Sequence, residues 1–339
     1  MTGASPLSGS SPTTGWAPTV AVGAGRMGRG IAVAYALKGR PVTVLDFKAR
    51  AEHDVERLVR DVQDEVRSTL DQLATLDVLS PAEVEATAAL VTVAPLEASP
   101  EVLGTARIVY EGVPETPAAK ADALPRLGLL AAEDTIIAST TSTMLASELA
   151  GLVPRTERFL NAHWLNPAFI NLLVEVSPHE DTDPRVTEAL KAELELVGKV
   201  PVVCACSPGF IVPRLQALIM NEAARMVSEG VATAADIDKA TRFGLGLRFA
   251  SLGVLEFIDF GGNDILYYAD RYLSRTIDEY RYAVPAVIEQ NMREGRDGLR
   301  TGQGFFSYDA EDVDAYRQDV LRRTLEMARH FEAVRDSGS

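Results

Sequence analysis

Gly23-Ala24-Gly25-Arg26-Met27-Gly28 reads G-x-G-x-x-G, and what stands on either side of it decides the fold. Ahead of it, Thr19-Val20-Ala21-Val22 is a short apolar, β-branched run of the kind that forms a buried parallel strand. Behind it, residues 29–37 carry Ile31, Ala32, Tyr35 and Ala36 at helical spacing. A second apolar run, Val42-Thr43-Val44-Leu45, ends in Asp46, 18 residues after the last glycine. Each part has a mechanical reason. The first glycine permits a tight turn, the second lets a pyrophosphate approach the backbone, and the third lets helix and strand pack closely. The helix N-terminus faces the phosphates and the acid holds the ribose hydroxyls. A glycine triplet alone would read as a flexible loop. Strand, glycines, helix, strand and acid in this order predict a dinucleotide site built on Gly23, Gly25, Arg26, Met27, Gly28 and Asp46. Asp46 would repel a 2′-phosphate, which favours NAD over NADP, and Lys48 and Arg50 lie close enough to weaken that preference.

At 339 residues the chain suits two domains with a sizeable core. Its formal charge of −15 argues against nucleic acid or an anionic membrane as the main partner; the small-molecule substrate expected here rests on the motifs below. No apolar run approaches the length of a membrane span. Residues 1–17, rich in Ser, Thr, Gly and Pro, lack the basic start and apolar centre of a secretory signal and predict a disordered tail. Alternation over residues 200–206 puts Cys204 and Cys206 on one strand face, as buried thiols rather than a redox or metal pair. Four scattered histidines with no H-x-x-x-H or C-x-x-C show no metal site. The expectation is a cytoplasmic enzyme.

Residues 51–74 place Val55, Leu58, Val59, Val62, Val66, Leu70 and Leu73 at helical spacing among many charges. Ser80-Pro81-Ala82-Glu83 then predicts a capped shorter helix to about residue 89, so a helical hairpin is inserted after the second strand. Strand-like runs resume at 90–93, 107–110, 135–138, 158–162, 172–176 and 200–204, with helices at 120–130 and 184–197. This alternation predicts an α/β domain over 18–206 with a mostly parallel, Rossmann-type sheet. Past Ser207-Pro208-Gly209 helical periodicity takes over, with a helix carrying 214–226, a capping box at Thr233-Ala234-Ala235-Asp236, and helices near 249–258, 264–280, 283–293 and 311–334. The second domain, 207–334, is expected to be all-helical and apolar enough to make a homodimer.

A nicotinamide enzyme acting on an alcohol or ketone needs a proton partner for the hydride, a task histidine suits. His53 and His330 fall on charged helical stretches and His179 in a polar turn. His163 differs: it opens His163-Trp164-Leu165-Asn166-Pro167 at the carboxyl end of a strand, where open α/β sheets place ligands. Leu172-Leu173-Val174-Glu175-Val176 follows as an apolar run with one acid, and a carboxylate there is costly unless paired. A return strand would bring Glu175 beside His163, a base with its orienting group; the plainer alternative is an outward-facing acid. Ser139-Thr140-Thr141-Ser142-Thr143 offers either a hydroxyl to the substrate or nicotinamide, or a simple helix cap. Glu111-Gly112-Val113-Pro114-Glu115 lies at another strand end, and Lys120 follows on a helix where an exposed lysine needs no further reason.

Taken together, these motifs resemble the L-3-hydroxyacyl-CoA dehydrogenase family over residues 18–309. The matching words are 22–32 around the glycine turn, 111–115, 139–142, His163-x-x-Asn166-Pro167, 173–176, Ser207-Pro208-Gly209-Phe210-Ile211-Val212 and Gly302-x-Gly304-Phe305-Phe306. The resemblance implies a Rossmann domain with a helical insert, a helical dimerisation domain, NAD as cofactor, and catalysis between the domains. It implies His163 as general acid/base, Glu175 as its partner, Ser142 and Asn166 on the substrate, and Glu115 and Lys120 near the nicotinamide half of the cofactor.

Two departures stand out. Where the family usually has asparagine before the arginine of the interdomain helix, this chain has Pro213 followed by Arg214. Proline has no side-chain donor, and a lost substrate hydrogen bond is worth about 1–3 kcal/mol. The insert is also acidic: from Ala51 to Leu90 there are three basic and ten acidic residues, a poor match for the phosphates of CoA. Three readings follow: a short-chain L-3-hydroxyacyl-thioester dehydrogenase of fatty acid metabolism, a relative acting on a non-CoA 3-hydroxy acid or ketone, and a cofactor-binding structural protein.

Overall fold

In the computed structural model the structure describes residues 18–308 and 312–337, with side chains as far as 333. The tail expected at 1–17 and the start of the helix expected from 311 lie outside them. The chain divides into two compact units, the first ending at Ile219 and the second beginning at Met220. The expected boundary was 206/207; strands do give way to helices there, while the compact units divide within the helix that follows.

The first unit holds an eight-stranded sheet in the order β3-β2-β1-β4-β5-β6-β7-β8. Its strands are β1 (Thr19–Val22), β2 (Val42–Leu45), β3 (Val91–Ala94), β4 (Ile108–Glu111), β5 (Ile136–Ser139), β6 (Phe159–Trp164), β7 (Leu173–Pro178) and β8 (Val200–Val203). All pairs are parallel except β6 and β7. The strand order reverses between β1 and β4, which makes their carboxyl ends the switch point where such sheets bind ligands. Helices α1 (Arg26–Ala36), α2 (Glu52–Thr75), α3 (Val84–Ala88), α4 (Ser99–Gly104), α5 (Pro117–Leu130), α6 (Ala146–Ala150) and α7 (Pro184–Leu196) join the strands. One core combines α1, α2, α3 and α7 with one set of strand side chains, and the other combines α4, α5 and α6 with the opposite set, so both faces are covered.

Local reasons for these elements are visible. Val62, Val66, Leu70 and Leu73 are the buried stripe of α2, whose other positions are charged and exposed. At the expected cap of the next helix, Ser80 donates its N–H and hydroxyl to Glu83, and regular helix begins only at Val84. The Glu side chain reaching back holds residues 81–83 as a turn. β8 stops at Val203, so Cys204 and Cys206 lie beyond the strand rather than within it, both half-buried free thiols. Cys206 lies 3.4 Å from the Ser147 hydroxyl at the start of α6.

From α8 (Val212–Ser228) onward the chain is helical: α9 (Ala234–Ala240), a π-helical stretch Thr241–Gly246, α10 (Leu247–Ser251), α11 (Val254–Gly261), α12 (Asn263–Thr276), α13 (Ala286–Glu294) and α14 (Val313–Ser337). Thr233 caps α9 by accepting the Asp236 N–H. Inside the second unit the buried Asp259 carboxylate accepts the N–H groups of Phe305 and Phe306 at 2.9 and 2.8 Å, the Asn263 amide and the Tyr308 hydroxyl. The Gly302-x-Gly304-Phe305-Phe306 segment is therefore an anchor for α11.

Candidate active site

Because β1, β2, β4, β5 and β6 run parallel, their following residues share one edge of the sheet: the glycine turn, Asp46, 112–116, 140–143 and the segment after Trp164. The glycine turn meets the requirements of a dinucleotide. Gly23 has φ +99°, and a Cβ there would lie 2.6 Å from the Gly112 carbonyl oxygen. A Cβ on Gly28 would lie 2.1 Å from the Gly23 carbonyl oxygen, so the third glycine is required by backbone packing. A Cβ on Gly25 meets nothing within 4 Å. That open position, at the N-cap of α1 with no side chain over it, is where a pyrophosphate can approach the leading N–H groups. Arg26 is exposed and Met27 half-buried beside it. Asp46 follows β2 directly, buried, with Arg50 paired to its carboxylate. These residues fit NAD.

His163 sits inside β6, not after it, directly opposite Glu175 of antiparallel β7. Its Nδ1 lies 2.7 Å from Glu175 Oε2. The other Glu175 oxygen accepts the Ile211 and Val212 N–H groups at 2.8 and 2.7 Å, at the start of α8. The acid is fully buried and His163 only 6% exposed. Phe210 completes the histidine's surroundings: its ring stacks on the imidazole at 5.3 Å between centroids and 16° between planes. That ring is delivered by a turn in which both Gly209 and Phe210 have positive φ, 77° and 45°. For a phenylalanine this conformation costs about 1–3 kcal/mol. With Nδ1 on the carboxylate, Nε2 is the nitrogen left for another partner.

A second polar group joins two strand ends. Glu111, at the end of β4, accepts the Lys120 ammonium at 2.9 Å on both oxygens, the Ser139 hydroxyl at 2.7 Å and the Val113 N–H at 2.8 Å. Lys120 is 1% exposed, so it is a buried ion-pair partner rather than a surface lysine. Its ammonium also lies 3.5 Å from Glu115. Glu115 accepts the Thr141 hydroxyl, the Thr143 hydroxyl and the Ser142 and Thr143 N–H groups, binding the loop after β4 to the loop after β5. Partial burial pushes the Glu115 carboxyl up, but the Thr141 hydroxyl, Lys120 and the loop donors outweigh it and hold it below its ordinary value. Thr141 also caps the following turn by accepting the Met144 N–H. The Ser142 side chain is exposed, with its hydroxyl free of protein partners among the described residues.

Asn166 is exposed past the end of β6, followed by a cis bond to Pro167. It lines a cavity of about 50 Å³ with Arg26, Arg29 and Thr69. The loop beyond it is tied down by Lys199, whose ammonium donates to the Ala168 and Asn171 carbonyls at 2.7 Å each. Pro213 is the second residue of α8, where its missing N–H breaks no helical bond, and Arg214 beside it is exposed.

With this geometry in place, two family models match the chain. The 3-hydroxyacyl-CoA dehydrogenase NAD-binding domain matches residues 19–207, and the 3-hydroxyacyl-CoA dehydrogenase C-terminal domain matches 209–308. This chain belongs to the 3-hydroxyacyl-CoA dehydrogenase family. It is an NAD-dependent oxidoreductase. A 5-formyl-3-hydroxy-2-methylpyridine 4-carboxylate 5-dehydrogenase from Mesorhizobium japonicum is 28% identical over 92% of this chain and 97% of its own length. The mitochondrial hydroxyacyl-coenzyme A dehydrogenase of Homo sapiens is 30% identical over 85% of this chain and 90% of its own. The crystal structure of a 3-hydroxyacyl-CoA dehydrogenase from Archaeoglobus fulgidus superposes with a TM-score of 0.74 at 26% identity, covering 94% of this chain and 99% of that one.

In this dehydrogenase the three arginines of the insert are all engaged by carboxylates: Arg57 by Asp54, Arg60 by Glu56 and Arg67 by Glu85. Several residues that shape the site stand in the motifs above without a role of their own assigned to them. Glu111 carried a signal, being an acid on an apolar strand with a lysine nine residues on. Phe210 carried none, because its contact with His163 depends on a left-handed backbone that no residue type announces for phenylalanine. Thr141, next to the Ser142 singled out above, is the hydroxyl that builds the loop. No helix among the described residues is long and apolar enough to cross a membrane.

Proposed function

We propose that the protein interconverts a short L-3-hydroxyacyl thioester and its 3-keto form, with His163 and Glu175 as the acid-base pair. The carrying observation is the buried 2.7 Å contact between them, with Nε2 of His163 left over for the substrate hydroxyl. NAD, when bound, supplies the hydride acceptor. His163 Nε2 takes the hydroxyl proton as the carbonyl forms. Glu175 faces the resulting imidazolium with one oxygen while the start of α8 holds the other, so the acid cannot turn away. Ser142 offers its hydroxyl to the substrate oxygen, and Asn166 lies three residues beyond the base. Glu115 and Lys120 frame the nicotinamide end. Reduction runs the same proton path in reverse.

A second reading, a non-CoA 3-hydroxy acid or ketone, is favoured by Pro213 and by the paired arginines of the insert, which leave little positive charge for CoA phosphates. The Mesorhizobium relative, named for a pyridine carboxylate substrate, adds to it. The two are separated by following NADH absorbance with acetoacetyl-CoA and with free acetoacetate. Turnover of the thioester supports the first reading; turnover only without CoA replaces it with the second. The proposal extends to a homodimer in the cytoplasm serving fatty acid metabolism. Light scattering on the purified protein checks the dimer.

A further inference from the structure

The carboxylate expected to hold the cofactor's ribose already has a partner. Arg50 Nε donates to Asp46 Oδ2 at 2.5 Å, while Nη2 stands 3.5 Å from Oδ1. The grip is lopsided: Oδ2 is taken and Oδ1 keeps acceptor capacity. Within the pair the Asp46 side chain is 7% exposed and the Arg50 side chain 29%, so the guanidinium is the member an arriving ligand meets. Lys48 is exposed two residues before it. The acids facing Arg50 are Asp46 and, at longer range, Asp54. Asp54 is itself engaged by Arg57 at 2.7 Å and His53 at 3.5 Å. Immediately after Arg50, α2 opens with Ala51 as its N-cap, which has no side chain to accept the leading N–H groups; Glu52 and Asp54 lie in that first turn.

A lone carboxylate here would exclude a 2′-phosphate by repulsion. This one is neutralised by a guanidinium whose planar fork matches a phosphate, at the uncapped start of a 24-residue helix. We propose that this corner accepts a 2′-phosphate as well as a 2′-hydroxyl, so that NADP(H) binds alongside NAD(H), with Arg50 as the residue that admits it. With NAD, Oδ1 of Asp46 takes a ribose hydroxyl and Arg50 stays on Oδ2. With NADP, Arg50 pairs with the phosphate and Lys48 adds a second positive charge. The inference rests on the NAD-binding domain and is independent of which substrate is oxidised.

The test is direct binding, with no substrate present: fluorescence titration of NADH and NADPH into wild type, Arg50→Met and Arg50→Lys at low salt. The expected result is a wild-type Kd for NADPH within tenfold of that for NADH. In Arg50→Met, NADPH weakens at least tenfold and NADH less than threefold, and Arg50→Lys recovers part of the NADPH affinity. A wild-type NADPH Kd more than tenfold above that of NADH overturns the proposal. So does Arg50→Met if it weakens both cofactors equally, which would make Arg50 a mere support for Asp46, or if it changes neither.

Discussion

Glu175 holds His163 with one carboxylate oxygen and the first turn of α8 with the other. The strand pair β6–β7 and the segment after Ser207-Pro208-Gly209 are thus tied together through a single buried side chain. Its two roles separate by substitution. His163→Gln is expected to abolish turnover with NADH affinity unchanged, since the histidine lies outside the glycine turn. Glu175→Gln is expected to lower kcat by about 10²–10⁴-fold. It should also cost about 1–3 kcal/mol of stability, because an amide nitrogen then faces either the imidazole or two N–H donors. Steady-state kinetics with urea unfolding reads both, and a Glu175→Gln enzyme of full activity would remove the pair from the mechanism.

The glycines of the turn predict opposite phenotypes. Gly28→Ala puts a Cβ 2.1 Å from a carbonyl oxygen and is expected to lower stability by about 2 kcal/mol or more. Gly25→Ala meets no protein atom, so thermal stability should hold while NADH affinity falls at least tenfold. Melting curves with NADH titration distinguish them; equal behaviour of the two variants would contradict the assignment.

Asp46→Ala is expected to weaken NADH far more than NADPH, since the lost carboxylate serves ribose hydroxyls but not a 2′-phosphate. Equal losses in a binding titration would count against the ribose role.

Burial, and more weakly Lys38, push the Lys199 ammonium down to about 8. In the unfolded chain this lysine holds its proton to about 10.4. Between these values the unfolded state binds more protons, so the lysine's contribution to stability rises with pH from about 8 and is at its worst below that. Relative to Lys199→Met, wild type should therefore gain stability between pH 7.5 and 10, measured by urea unfolding. A difference independent of pH would show that Lys199 titrates alike in both states.

In the helical unit, Asp259→Ala strands the Phe305 and Phe306 N–H groups in a buried setting. The expected cost is about 2–3 kcal/mol, seen as a lower Tm. An unchanged Tm would deny the anchor.

The elements whose side chains obey a simple period were legible in advance. β1, β2 and the stripe of α2 fall within a residue or two of the expectation. The pairing of His163 with Glu175 was legible as one of two alternatives, since an acid on an apolar strand is costly unless it finds a partner. What escaped were other contacts made across the chain. Lys120 reads as a surface residue until β4 supplies Glu111 beneath it. Cys204 and Cys206 follow the strand period until β8 stops at Val203.

The linear order of residues thus settled the kind of protein this is: glycine turn, acid, and histidine and glutamate on successive strands specify a nicotinamide enzyme of the 3-hydroxyacyl-CoA dehydrogenase family. Those features are local, and local spacing maps directly onto a turn or a strand face. Folding alone settled who touches whom: Phe210 on His163, α8 on Glu175, Lys120 under Glu115 and Arg50 on Asp46. Such contacts depend on sheet order and on backbone angles set by packing at a distance, which no short window of sequence contains.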